Sequence, residues 1–288
     1  MQRDNCSNTS QFSETPPVYK ASSAVLSLCF VLGVPGNVAV LVMLVRRLKE
    51  KNFTLSLMLS LAVSDLLTLL PVPVWIWAFI HGWIFGSVVC KITAYIQYWS
   101  FYCSALCVIL MSFQRFMQVL HPQTWAKLGD RGQKGLLGGI WILSGLFALY
   151  APVQRDVQSD QHGFQLCCEQ FGSDAEEVST LFFEILLFLI CFFSMVLFYY
   201  RLHRGVKESA LFSCSRMTKL VTRIVVMFFI LFIMAPFANS LIIIAVLLKN
   251  PNLTKIANVC GKISRALTFL NSCVNPFLYA FTLKYLRK

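Results

Sequence analysis

Apolar positions in this chain do not alternate with polar ones and do not repeat at helical spacing. They run together in blocks such as 181–200 and 224–248, each bounded by short polar stretches. A block of about 20 apolar residues is the length a helix needs to cross the hydrocarbon core of a bilayer. Lipid offers no hydrogen-bond partners, so a crossing is a helix or part of a closed barrel. Barrel strands alternate polar and apolar residues, and these blocks do not. The pattern predicts seven crossings, at about 20–46, 53–80, 87–119, 135–154, 178–203, 217–248 and 258–283. The fold class is an all-α membrane protein, a seven-transmembrane helical bundle. Residues 1–19 form an N-terminal segment, 20–283 the bundle, and 284–288 the start of a C-terminal segment. No basic start leading into a short apolar core marks a signal peptide.

Composition agrees: 57% of residues are hydrophobic and 13% charged, against roughly a quarter charged in soluble domains. The net charge of +12 would raise nucleic acid as a partner in a soluble chain. Here most lysines and arginines gather on one side of the crossings. With the N-terminus outside, only Arg3, Lys20, Lys91, Arg155, Lys249, Lys255, Lys262 and Arg265 of the 25 basic residues face out. The positive-inside rule therefore places the N-terminus outside and the C-terminus in the cytoplasm. The glycosylation sequons at Asn5 and Asn8 then lie outside; a third, at Asn252, falls in the last outer loop. Cys6, Cys90, Cys167, Cys168 and Cys260 lie where disulfides persist. A bridge from Cys90 to Cys167 or Cys168 would pin the longest outer loop over the bundle mouth. Cys6 with Cys260 is a second candidate.

Ionisable groups within a crossing are expensive and usually functional. Asp65 and Glu184 are the acidic ones. Asn37, Ser104, Asn271, Ser272 and Asn275 are polar groups at similar depth to Asp65. Two readings fit them: a hydrated cavity for a sodium ion, or a hydrogen-bonded packing network without one. Pro71, Pro73, Pro236 and Pro276 each remove a backbone bond and allow a kink. No HExxH, Walker or Gly-x-Ser-x-Gly pattern is present, and the four histidines are scattered, so the chain is not read as an enzyme.

These residues, in order and one set per helix, resemble the rhodopsin-like G-protein-coupled receptors over almost the entire chain. The matches are Gly36-Asn37, Leu61-Ala62-x-x-Asp65, Cys90, Arg115, Trp141, Pro236 and Asn275-Pro276-x-x-Tyr279. Within that family the chain looks most like the chemoattractant branch, especially the leukotriene-B receptors. Val34-Pro35-Gly36-Asn37, Ser100-Phe101-Tyr102-Cys103-Ser104, Phe183-Glu184 and the run from Ala266 to Tyr279 carry that likeness.

The resemblance implies a plasma-membrane receptor for an extracellular chemoattractant, coupled to a heterotrimeric G protein of the inhibitory type. Arg115 would engage the G protein, with Tyr200 and Tyr279 turning inward to support that state. Asp65, Ser104, Asn271 and Asn275 would hold an allosteric sodium ion. There are departures from the family pattern. Gln114 stands where an acidic residue usually restrains the arginine, and Met234 replaces a tryptophan two residues before Pro236. Phe192 occupies the place of a proline in the fifth helix.

The ligand would be a carboxylate-bearing lipid mediator, with Arg155, Lys262 or Arg265 clamping the carboxylate. Tyr98, Phe101, Tyr102 and Glu184 would meet its tail and hydroxyls. Trp75, Trp77, Trp83, Tyr95 and Trp99 are further wall candidates, although many such aromatics face lipid. Lys262 and Arg265 also have Asp174, Glu176 and Glu177 as nearby loop acids. The alternatives are a peptide chemoattractant receptor, or an atypical receptor that does not couple or is constitutively active.

Overall fold

The computed structural model describes residues 17–47, 52–159, 163–208 and 216–283. Nine helices and one β-hairpin are found among them: α1 (Pro17–Arg47), α2 (Phe53–Leu69), α3 (Val72–His81), α4 (Gly86–Leu120), α5 (Pro122–Phe147), β1 (Arg155–Ser159), β2 (Gln165–Glu169), α6 (Asp174–Glu208), α7 (Arg216–Phe232), α8 (Met234–Leu248) and α9 (Pro251–Leu283). They make seven crossings, because α2 with α3, and α7 with α8, are broken halves of single rods. Five crossings are long and apolar enough by composition alone: Ser22–Arg46, Phe53–His81, Gly86–Leu120, Asp174–Leu202 and Val221–Leu248. The two others, α5 and α9, are more polar and sit within the bundle through contacts with their neighbours.

Proline explains both breaks. Pro71 has no N–H to offer and becomes the residue that opens α3. Pro236 stands in the first turn of α8, where a missing N–H is tolerated, and the rod restarts there after Ile233. In α6, Phe192 stacks on Phe188 and meets Phe229 of α7 edge-on at 5.0 Å between ring centres. An aromatic contact thus occupies the place of a kink.

Several boundaries differ from those expected. The seventh crossing starts at Pro251 rather than near 258, because Asn250 Oδ1 accepts from the N–H groups of Asn252 and Leu253 while Pro251 takes the first helical position. The Asn252 sequon therefore lies in the first turn of a helix, not in a loop. The fourth crossing is two pieces. Residues 122–128 form a short inner helix, and Gly129 at φ 56 and ψ −178 turns the chain into the longer rod. Trp125 anchors the short piece against Phe53 and Phe113. The rod ends in a single 3-10 turn at Ala148–Tyr150 rather than at 154.

The longest outer loop is a two-stranded antiparallel hairpin, with Arg155 facing Glu169 and Val157 facing Cys167. Close packing fixes the frame beneath it. A Cβ on Gly36 would meet Pro276 at 2.9 Å, and one on Gly33 would meet Leu69 at 2.6 Å, so α1 lies directly on α9 and α2. Trp141 of α5 donates to Ser60 of α2 at 2.7 Å, and Trp99 of α4 donates to the Trp141 carbonyl at 3.0 Å. These bonds lock the rods that carry the site.

Candidate functional site

The half of the bundle that carries the hairpin holds a connected polar patch set in aromatic surroundings. Tyr102 of α4 and Tyr150, just past α5, have their hydroxyls 2.9 Å apart. Tyr150 donates to Glu184 Oε1 of α6 at 2.5 Å, and Asn239 of α8 donates to Glu184 Oε2 at 2.8 Å. Four crossings thus converge on one carboxylate. A carboxylate has about four lone-pair positions, so Glu184 retains capacity for a further donor such as a ligand hydroxyl. Tyr98 packs edge-on against Tyr150 at 5.4 Å. A cavity of about 300 Å³ is lined by Leu146, Phe147, Tyr150, Ser179, Thr180 and Phe183 between the outer ends of α5 and α6. Tyr150 therefore touches both this crevice and the carboxylate.

The hairpin sits over the mouth. A disulfide joins Cys90, at the start of α4, to Cys167 of β2, so of the two adjacent cysteines it is Cys167 that ties the hairpin to α4. Cys168 is itself disulfide-bonded. Cys260 is a free, half-buried thiol, which corrects the pairing expected with Cys6; Cys6 lies outside the described residues. Trp83, fully buried beneath the hairpin, donates its ring N–H to the Gly86 carbonyl at 2.9 Å, and its backbone N–H reaches the Gln165 carbonyl at 2.7 Å. At the opposite edge Asp156 accepts from Ser87 and from the Val157 N–H, which together hold its carboxyl below the usual range.

The cations at the mouth already have an acid, and it is not one of the three that the sequence brought forward. Glu169 Oε1 lies 2.5 Å from Arg155 Nη2 and 3.8 Å from Arg265 Nη1. The Arg155 guanidinium also stands 5.9 Å from the centre of the Trp75 ring, a cation–π distance. Burial by itself would raise the Glu169 carboxyl, but Arg155 and then Arg265 outweigh it and hold the group below the ordinary glutamate value.

The other wall candidates divide. Trp75 and Trp83 support the hairpin, while Trp77 faces outward and stacks on His81. Tyr95 and Trp99 are spent on the α5 backbone. Phe101 packs lower, against Phe232 of α7.

At mid-membrane, Asp65 is completely buried, and its Oδ2 accepts from Asn275 at 2.8 Å. Its Oδ1 has no hydrogen-bond partner among the described residues. Ser104 bonds to Ser64, the residue before Asp65, at 2.8 Å, and Asn271 is buried one turn before Asn275 on α9. Asn37 instead ties α1 to α9, donating to the Ser272 carbonyl at 2.8 Å.

At the inner end, Gln114 is fully buried and donates to Thr54 Oγ1 at 2.9 Å. Arg115 donates to the same oxygen and to Gln118 Oε1, both at 3.2 Å. No carboxylate takes part in these contacts. Tyr200 is 61% exposed and points away from the bundle. Its neighbour Tyr199 packs on the core. Met234 and Pro236 lie half-buried at the α7–α8 break, and Pro276 is buried against Gly36. The Tyr279 side chain, Asn5 and Asn8 lie outside the described residues. Lys262 is half-buried on α9, one turn before Arg265.

Sequence reasoning missed Glu169, Tyr150, Asn239, Thr54 and Tyr199. Each matters through a partner elsewhere in the chain that no local pattern announces.

Residues 36–279 match the family model described as 7 transmembrane receptor (rhodopsin family). A purinoceptor of Mus musculus is 29% identical over 271 residues, covering 89% of this chain and 74% of that protein. Leukotriene B4 receptor 1 of Homo sapiens is 29% identical over 262 residues, covering 88% and 74%. Apelin receptor B of Danio rerio is 27% identical over 305 residues, covering 96% and 84%.

Proposed function

This chain belongs to the rhodopsin family of seven-transmembrane receptors, and from that premise we propose that it captures an extracellular carboxylate-bearing lipid mediator of the leukotriene type. A member of this family is a receptor, not an enzyme, and a multi-pass protein of the plasma membrane. The finer reading places the N-terminus outside and couples the receptor to an inhibitory-type G protein through Arg115. The distribution of lysine and arginine and the disulfide-pinned hairpin support that orientation.

The observation that carries the ligand reading is vertical separation of chemistry. Arg265 stands 54% exposed at the mouth, while Glu184, Tyr102, Tyr150 and Asn239 form a polar cluster deeper in aromatic walls. An amphiphile with a terminal carboxylate and a hydroxyl further along its chain matches both levels. Arg265 takes the carboxylate, Glu184 accepts from the hydroxyl, and Tyr98 and Phe101 line the path of the tail. Leukotriene B4, the ligand in the name of one relative, is the probe of choice.

A second reading has one observation behind it. Glu184 accepts hydrogen bonds from two neutral donors, Tyr150 and Asn239, so a peptide bearing an arginine or lysine would complete it.

Asp65 has the donor set for a sodium ion. Its unpartnered buried Oδ1, with Asn275 on the other oxygen and Ser104 and Asn271 buried on the neighbouring helices, fits an ion that supplies positive charge where the described residues supply none. Bound there, the ion would tie α2, α4 and α9 together in the resting arrangement.

The test is saturation binding of labelled leukotriene B4 to membranes from cells expressing the chain, with nucleotide exchange on an inhibitory-type G protein read alongside. Saturable binding that weakens about tenfold in both Arg265→Gln and Glu184→Gln is expected, each substitution removing a charged hydrogen bond. Absence of binding and of exchange at normal surface expression would overturn the lipid reading; saturable binding of an arginine-bearing peptide that Glu184→Gln abolishes would replace it with the peptide one.

A further inference from the structure

Arg155 and Glu169 are facing residues at the open end of the hairpin, so strand register alone brings their charges together. The Glu169 oxygen that Arg155 holds at 2.5 Å is also the one facing Arg265 at 3.8 Å. One carboxylate oxygen is thereby shared by two guanidiniums from different parts of the fold, the hairpin and α9.

The two cations are not equivalent. The Arg155 side chain is 11% exposed and lies over the Trp75 ring. That of Arg265 is 54% exposed, and its contact is long. Separating a buried, hydrogen-bonded ion pair leaves a charge stranded, whereas a long contact at an exposed side chain is worth little. Glu169 is therefore firmly attached at Arg155 and only loosely attached at Arg265.

We propose that Glu169 is a tethered stand-in for the ligand's carboxylate, occupying Arg265 until an incoming carboxylate displaces it while the bond to Arg155 persists. This rests on the carboxylate-lipid reading above and names the group against which that ligand competes. The tether keeps the effective concentration of the competitor high without any second molecule. A ligand with a neutral head meets no such competition and gains no such partner. Glu169 thus sets selectivity between acid and ester forms of one lipid.

The experiment measures displacement of labelled leukotriene B4 by leukotriene B4 and by its methyl ester, on membranes carrying the full chain. Glu169→Gln keeps a neutral acceptor for Arg155 and removes the competing charge. It should tighten the acid about tenfold and leave the ester within twofold of the parent. In Glu169→Gln with Arg265→Gln the gain should vanish. Glu169→Asp, which keeps the charge but withdraws it by one methylene, should give an intermediate gain and serves if the glutamine variant does not reach the surface. Unchanged or weaker acid binding in Glu169→Gln and Glu169→Asp, in a parent whose acid binding depends on Arg265, overturns this inference alone. Failure of the parent and every variant to bind the acid overturns the ligand reading and this inference with it.

Discussion

Gln114 donates from its buried side-chain amide to the hydroxyl of Thr54, 60 positions away in sequence, at 2.9 Å. Arg115 leans on that same hydroxyl, so an uncharged pair does the restraining that an acidic neighbour performs in the family pattern. The Arg115 contact pairs a charge with a neutral oxygen, worth about 1.5–3 kcal/mol, and lacks the Coulombic attraction that a carboxylate would add. On the proposed coupling through Arg115, the resting state would be less firmly held than with a carboxylate at position 114. Gln114→Glu should lower ligand-free nucleotide exchange several-fold, and Thr54→Val should raise it about twofold to fivefold. Exchange measured without ligand, at matched surface expression, checks both. Equal rates in all three proteins would remove Thr54 from any role in holding Arg115.

The second prediction concerns Asp65. Replacing choline chloride by sodium chloride at constant ionic strength should raise the Tm of the detergent-solubilised parent by several degrees, because only the folded state assembles the Asp65 oxygens. Asp65→Asn should abolish the sodium-specific part of that increase while keeping a side chain of the same shape. A parent whose Tm ignores the choice of cation would leave Asp65 as a packing residue that bonds to Asn275 and nothing more.

How far the chain was readable depends on which forces act locally. Continuous apolar runs reveal crossings because the bilayer, not the tertiary fold, sets their length. The breaks at Pro71 and Pro236 were visible for the same reason: a missing N–H is a property of one residue. The early start of α9 could have been read from Asn250-Pro251, a cap followed by the residue suited to the first helical position. The hairpin was harder. Arg155–Ser159 and Gln165–Glu169 mix charges, amides and cysteines, and neither strand has a face that alternates cleanly. Missing the hairpin meant missing Glu169, since only register sets it opposite Arg155. Tyr150 and Asn239 were missed because convergence on Glu184 requires four helices to be placed in space. Tyr199 and Tyr200 are adjacent, and one step along a helix, about 100° of rotation, separates the core from the lipid.

Acid sensitivity should follow from Glu169. Its carboxyl is held below the ordinary glutamate value in the fold, so its ionised contacts contribute stability that is fully present above about pH 4.5. That contribution is lost as pH falls through the depressed folded value. Glu169→Gln lacks this dependence. The difference in Tm between parent and Glu169→Gln, measured on solubilised receptor from pH 7 to pH 4, should stay constant down to about pH 5 and then shrink. A difference that grows on acidification would mean that the carboxyl is raised, not lowered.

The Cys90–Cys167 disulfide carries a consequence for when selectivity is decided. Glu169 is two residues beyond Cys167 on the same strand, so the covalent bond that anchors the hairpin also positions the competing carboxylate. With the N-terminus outside, as proposed, that bond would form in the oxidising lumen of the secretory pathway, before the receptor has met any ligand. On the proposed competition at Arg265, discrimination between an acid and its ester would thus be installed during maturation. A receptor that reached the surface with the pair reduced would differ from its oxidised sibling in what it recognises, with no change in sequence.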